Sequence, residues 1–207
     1  MITKASVVLA ISMLWWALAA FSSPEPTLTV SARANIFGAG QAKPPDPGGG
    51  GAGELPPMVQ LPPGANRIVT FPSVTGRVNP IREYEDWNGP AGDGVGGTNV
   101  QSFEGISGIV HRANGMFLVG VFLSDGVPAT PEPSRLDFTN GMPAVPLAPE
   151  LGQTFLIGDG KGHKYHVPAE ATRLYLGFAD AYLYRGAPGW YDNNAGELKV
   201  TVDIVSD

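Results

Sequence analysis

Apolar and polar residues alternate with a period of two over several short segments of the chain. Residues 172–178 show the pattern most clearly, with Leu174, Leu176 and Phe178 on one side and polar, aromatic or small residues between them. Such alternation is typical of a β-strand with two different faces. It predicts a strand that ends at Asp180, where turn-forming residues begin.

Other segments carry the same signal at similar length. Leu28–Ala32 is expected to be the first strand and to pair with a segment downstream, and Arg67–Phe71 and Ser73–Val78 are expected as two strands separated at Pro72. Met116–Leu123 is almost continuously apolar, which predicts a strand buried on both faces. No window has a convincing period of 3.6 residues, so we predict an all-β domain, a single antiparallel two-sheet β-sandwich.

Glycine and proline divide these segments. The chain of 207 residues contains 28 Gly and 20 Pro, which favours many turns and one domain over residues 28–207. A Pro/Gly-rich tract at 43–64 cannot build a core of its own and is predicted to be a flexible loop.

The N-terminus has the pattern of an export signal. Lys4 precedes a continuous apolar run, Ala5–Ala17, and small residues follow at a cleavage site. We therefore predict a signal peptide at 1–20 and a short linker at 21–27, with the mature protein secreted or at the cell surface. A retained N-terminal anchor is the alternative; after cleavage no membrane span is expected.

Charge and cysteine content exclude several classes of function. The net charge of −6 and the lack of a basic run argue against a nucleic-acid partner. The absence of Cys excludes disulfides, thiolate zinc sites and cysteine nucleophiles. No nucleophile elbow and no recognisable carboxylate pair across a cleft are present, so we do not predict an enzyme.

The loop before the last strand carries the most suggestive chemistry. Asp192, Asn193 and Asn194 offer one carboxylate and two amides, without thiol or imidazole, and Gly196 follows. Oxygen ligands of this kind suit a hard cation, Ca²⁺ before Mg²⁺. The same residues are also common in turns that bind no metal, and composition alone leaves both readings open.

The arrangement resembles a known lectin family. Asp180 at a strand end, followed by Pro188–Gly196 (PGWYDNNAG) and a terminal strand, looks like the calcium and sugar loop of the PA-I galactophilic lectins. Trp87–Asp93 (WNGPAGD) is similar to that family's Trp-Gly-Pro-x-Gly-Asp segment, with one added residue. The resemblance extends from Leu28 to Val202 and implies a jelly-roll, galactose-binding-like sandwich.

The resemblance also implies a set of site residues. The calcium ligands carried over are the side chains of Asp180, Asn193 and Asn194 and the backbone carbonyls of Trp190 and Pro80 or its neighbour Asn79. The residues expected to bind carbohydrate are Asp180, Trp190, Tyr191, Asn193 and Asn194. Sugar hydroxyls complete the coordination of the cation, so the metal itself takes part in recognition.

Two departures from the family pattern bear on this site. The loop between Asp180 and Pro188 is longer, with Tyr182, Tyr184 and Arg185 inserted, which could reshape the pocket or displace Asp180. The family's sugar-contacting His and Gln have no clear counterparts in Gly94–Phe103. Galactose specificity is therefore not carried over.

The sequence thus predicts an exported calcium-dependent carbohydrate-binding protein whose partner is a carbohydrate or glycoconjugate; homo-oligomer formation stays open. The alternative is a structural or adhesive surface protein with a purely structural calcium site. A hydrolase is a second alternative. The ligand hypothesis further predicts that Asn194→Ala impairs binding and leaves the stability of the metal-free fold nearly unchanged.

Overall fold

The structure is a computed structural model that describes residues 25–81, 83, 85–94 and 96–206. The predicted signal peptide at 1–20 and residues 21–24 of the linker lie outside the described residues. Within the described ranges, no helix has both the length and the apolar character needed to cross a membrane.

The described residues form an all-β structure, as predicted. The strands are β1 (Thr27–Ser31), β2 (Met58–Gln60), β3 (Arg67–Asn79), β4 (Asp93–Gly94), β5 (Thr98–Val100), β6 (Ile109–His111), β7 (Asn114–Gly115), β8 (Val119–Leu123), β9 (Leu136–Phe138), β10 (Phe155–Leu156), β11 (Tyr165–His166), β12 (Arg173–Gly177), β13 (Arg185–Gly186) and β14 (Ala195–Ser206). Short 3₁₀ turns lie at Ile36–Gly38, Tyr182–Tyr184 and Tyr191–Asn193.

In the described ranges the strands divide into more sheets than the two expected. The first sheet has the order β1-β14-β3-β11, the second β10-β8-β12-β2 and the third β13-β5-β6-β9, and β4 pairs with β7. Most neighbours are antiparallel, but β13–β5 and β6–β9 are parallel. The first strand pairs with the last, which confirms that its partner is downstream.

The second sheet is buried on both faces. On β12, Leu174 and Leu176 join a hydrophobic cluster shared with the first sheet, and Tyr175 joins a second cluster shared with the third sheet. The alternation expected over residues 172–178 is confirmed. Every residue of β8 is buried, as predicted for the Met116–Leu123 segment, because the strand lies between the two clusters.

The boundary expected at Pro72 is wrong, because β3 runs unbroken through it. The pairing of β3 with β14 shifts between Thr201 and Asp203, so that Phe71 and Pro72 together stand opposite Val202. A bulge of this kind accommodates proline, since the bulged residue leaves the hydrogen-bond ladder. The pairing of β3 with β14 continues to Asn79 opposite Ala195, next to the loop that precedes β14.

Candidate functional site

A cavity of about 420 Å³ opens beside the point where the β3–β14 pair ends. Five segments of the described chain line it, and we call it the Asp180 cavity. Its lining residues are Asn79, Pro80, Ile81, Asp86, Asn88, Asp93, Gly94, Asp180, Ala181, Tyr182, Leu183, Tyr184, Trp190 and Asn193.

The Asp180 carboxylate is buried, with only 4% of the residue exposed. Its Oδ1 accepts a hydrogen bond from the Ala181 N–H at 2.8 Å, and its Oδ2 accepts one from the Asn194 Nδ2 at 2.9 Å. Both donors are neutral, and no ion pair with Asp180 occurs in the described part of the chain. A buried carboxylate without a cationic partner is unfavourable when ionised.

Burial changes the proton affinity of this carboxyl group. Desolvation raises the pKa of Asp180 from 3.8 to about 7, although the hydrogen bonds from Asn194 and Ala181 oppose the rise. A divalent cation in the cavity would favour the ionised form and bring the pKa back down.

The two asparagines carry unpartnered oxygens. The Nδ2 of Asn194 donates to Asp180 Oδ2 and, at 3.2 Å, to the Ala32 carbonyl. Both partners are acceptors, so the amide orientation that satisfies them leaves Asn194 Oδ1 without a donor. Asn193 Oδ1 and Asn194 Oδ1 are buried and accept no hydrogen bond from any described residue. Buried acceptors without donors are rare in native proteins and fit a cation.

The backbone positions expected at the site lie nearby. Trp190 adopts a left-handed conformation with φ 70° and ψ 23°, lines the cavity and packs against Tyr182 with ring centroids 5.0 Å apart. Pro80 also lines the cavity, and Asn79 Oδ1 caps the Ile81 N–H at 3.0 Å. The fold therefore brings Asp180, Trp190 and Pro80 to one cavity from segments far apart in sequence.

The expectation that Tyr191 contacts sugar is wrong for this conformation, because the residue is fully buried. Its hydroxyl accepts from the Asp180 N–H and donates to the Phe178 carbonyl, both at 3.0 Å. Burial raises the pKa of Tyr191 well above its usual value. The Tyr191 hydroxyl thus links the backbone of Asp180 to that of Phe178.

Asp192 also differs from the sequence expectation. It lies outside the cavity lining and is exposed, with its Oδ1 2.6 Å from the Arg33 guanidinium and 3.3 Å from the Gly53 N–H. Within the 3₁₀ turn Tyr191–Asn193, Asn193 lines the cavity whereas Asp192 does not.

The Pro/Gly tract packs against the loop that carries the site. Gly48 N–H donates to the Pro188 carbonyl at 2.8 Å, and the N–H groups of Trp190 and Tyr191 donate to the carbonyls of Gly49 and Gly51 at 2.8 and 3.0 Å. In place of the flexible loop expected, the tract is a hydrogen-bonded support. Composition could not reveal this, because the partners are more than a hundred residues away.

The sequence reasoning missed several lining residues. Asp93 closes the Trp87–Asp93 motif, but its place in the cavity could not be inferred from that motif alone. Asp86 lies in a charged stretch of the sequence, and no motif there singles it out. The inserted Tyr182–Tyr184 turn does not displace Asp180 from the cavity but forms part of the same wall.

Within the described ranges, the Asp180 cavity included, no group of three His, Cys, Asp or Glu side chains is arranged to hold a metal ion. The Asp180 cavity offers a different donor set, one carboxylate with amide oxygens. Comparison with protein-family models and with curated protein sequences finds no match to the chain.

Proposed function

We propose that this protein binds a calcium ion in the Asp180 cavity and, through that ion, a carbohydrate. The observation that carries the proposal is the buried Asp180 carboxylate, which has no cationic partner among the described residues, shares its cavity with Asn193 and accepts from the Asn194 amide. The side-chain oxygens of both asparagines are buried and unpartnered. A cation would compensate the buried charge and satisfy both amide oxygens at once. Carbonyls of Trp190 and Pro80 are proposed to complete the protein ligands.

The donor set favours calcium over other common metals. Oxygen ligands without sulfur or imidazole do not suit zinc or copper. Calcium accepts six to eight oxygens in flexible geometry, and amide and backbone oxygens are among its ordinary ligands. Asp180 is the single carboxylate among the proposed ligands, so a calcium ion there would have room for additional oxygen ligands from water or from a bound molecule.

The cavity also suits a sugar. Its volume of about 420 Å³ lies in the range of small-ligand sites, roughly 300–1,000 Å³. A vicinal diol can replace two waters on calcium, and the paired rings of Tyr182 and Trp190 offer an apolar surface for the C–H face of a pyranose. A polyol with one apolar face matches both features.

Charge at the cavity favours a neutral sugar. Asp86 and Asp93 line it together with Asp180, and the described lining includes no Lys, Arg or His. A single calcium ion would leave the acidic groups in slight excess. Sialic and uronic acids would be repelled by these carboxylates, so we propose a neutral hexose.

The relation to the PA-I galactophilic lectins and the sandwich architecture are part of this proposal. The first and second sheets share one hydrophobic cluster, and we propose that they correspond to the two-sheet jelly-roll of that family, with the third sheet packed outside it. We also propose export to the cell surface or medium, where millimolar calcium would be available.

Thermal unfolding with chelator and with millimolar Ca²⁺ or Mg²⁺ tests the cation. Binding at a hundredfold excess over Kd stabilises the native state by about 2.7 kcal/mol, or about 5–10 °C in Tm for a chain of this size. Isothermal titration with methyl glycosides, in calcium and in chelator, then tests the sugar.

The results separate the proposal from its alternative. Calcium stabilisation with sugar binding that chelation abolishes supports the lectin. Stabilisation without binding to any glycan supports a structural calcium site in an adhesive protein. No calcium shift at all would reject both.

A further inference from the structure

We propose that Tyr184 is a specificity-determining residue of the Asp180 cavity, whose hydroxyl hydrogen-bonds a sugar hydroxyl that is not coordinated to the cation. The inference rests on the proposed function and deepens it. It assigns a role to the insertion between Asp180 and Pro188, for which the sequence suggested only that it could reshape or disrupt the site.

The Tyr184 hydroxyl is in an unusual environment. Tyr184 lines the cavity and is only 7% exposed, yet its hydroxyl oxygen is buried and has no hydrogen-bond partner among the described residues. The large majority of buried side-chain polar groups in native proteins are hydrogen-bonded. A buried hydroxyl without a protein partner in a cavity wall is suited to a partner that arrives with the ligand.

The backbone of the turn holds the side chain in this position. Leu183 and Tyr184 both adopt left-handed conformations, with φ 50° and 57°, which non-glycine residues rarely do. Tyr182 and Leu183 are consequently exposed, at 59% and 69%, while Tyr184 turns inward. Strain of this kind persists only where the surrounding structure enforces it, and it is concentrated at functional sites.

Contacts on both sides fix the turn. The Tyr184 N–H donates to the Ala181 carbonyl at 2.9 Å, and the Tyr182 ring packs on Trp190. After the turn, Arg185 enters β13, which pairs with β5 at Asn99. The hydroxyl is therefore held by a connected framework and does not depend on a free loop.

The chemistry of the group favours a sugar over the cation as its partner. Burial, and then the negative charge of Asp180, raise the pKa of Tyr184, so the phenol stays protonated and neutral. A neutral phenol is a weak calcium ligand compared with carboxylate and amide oxygens, but it can donate to one ligand hydroxyl and accept from another. Its removal should weaken sugar binding without weakening calcium binding.

The test compares Tyr184→Phe with the control Tyr175→Phe, which makes the same change at a residue outside the cavity lining, where the hydroxyl accepts a hydrogen bond from Arg173 at 3.0 Å. Calcium affinity and the affinity for methyl glycosides of galactose, glucose, mannose and fucose are measured by isothermal titration, with Tm by calorimetry. We expect Tyr184→Phe to bind the preferred glycoside about tenfold more weakly, with unchanged calcium affinity and equal or higher Tm. Tyr175→Phe should bind calcium and glycosides like the wild type.

The outcomes distinguish this inference from the proposed function. Unchanged glycoside affinity in Tyr184→Phe, with binding intact in the wild type, overturns the role of Tyr184 alone. A lower Tm together with weaker calcium binding would show that the hydroxyl is structural, which also overturns it. Failure of the wild type to bind any of the four glycosides in calcium rejects the proposed function and this inference with it.

Discussion

Replacing Asp180 by Asn tests the buried charge on which the candidate site depends. The substitution keeps the size of the side chain and removes its ability to ionise. The folded-state pKa of Asp180 is about 7, raised above the ordinary 3.8. Between these values the native state binds more protons than the unfolded state, so the stability of the metal-free protein falls as pH rises through the window.

The size of the effect follows from the two pKa values. Between about pH 5 and pH 8, ionisation of Asp180 should lower the free energy of unfolding of the metal-free wild type by about 2–3 kcal/mol. An Asn at this position does not titrate, and the loss of one of the two accepted hydrogen bonds adds a cost that does not depend on pH. As the pH rises from 5 to 8, chelated Asp180→Asn should therefore gain about 2–3 kcal/mol relative to the wild type, or about 5–10 °C in Tm.

Calcium should reverse the order of the two proteins. The wild type should be stabilised at about pH 8, and its calcium affinity should fall below about pH 7, where protons compete for the carboxylate. Asp180→Asn should show little or no calcium response, because the charged ligand is missing.

Denaturant titrations at several pH values, each with chelator and with calcium, measure both effects. Asp192→Asn is the matched control: it makes the same change on an exposed carboxylate of the neighbouring turn and should keep the calcium response. A stability difference between Asp180→Asn and the wild type that does not change with pH would refute the buried-charge reasoning.

Three further predictions concern the surroundings of the site. Gly50→Ala places a Cβ 2.5 Å from the Trp190 ring, whereas a Cβ at Gly49, which has a similar positive φ, meets nothing within 4 Å. Gly50→Ala should therefore lower stability and sugar affinity more than Gly49→Ala does. Unfolding experiments and sugar titrations on the two variants measure the difference. Contrary to the sequence-based expectation, Asn194→Ala should destabilise the metal-free fold by about 1–3 kcal/mol, because it removes buried hydrogen bonds to Asp180 and the Ala32 carbonyl. Denaturant titration of the variant and the wild type in chelator measures this difference in the free energy of unfolding. Methyl glucuronide should bind more weakly than methyl glucoside, with a difference that shrinks as salt is raised.

Much of the fold could be predicted because it depends on local alternation. The two faces of β12 and the burial of β8 follow from the order of apolar residues, since side chains on a strand point alternately to opposite sides. The division into more than two sheets could not be predicted from this alternation. Several strands are only two or three residues long, and their partners are set by packing between distant segments.

Pro72 shows how tertiary structure overrides a local signal. Proline ordinarily interrupts a strand because it lacks an N–H. Here the opposite strand supplies one residue fewer, so the missing donor falls at a bulge and the strand continues. Only the pairing partner, more than a hundred residues away, decides that outcome.

The candidate site also depends partly on local sequence and partly on contacts between distant segments. The strand pattern places Asp180 shortly after β12 and Asn193 and Asn194 directly before β14, so these oxygen-bearing residues are recognisable from the sequence. The burial of Tyr191 and the exposure of Asp192 depend on packing with the rest of the protein. A 3₁₀ turn of three residues is too short for a hydrophobic period to show in the sequence, so the contacts of the turn with the rest of the protein determine which groups reach the cavity.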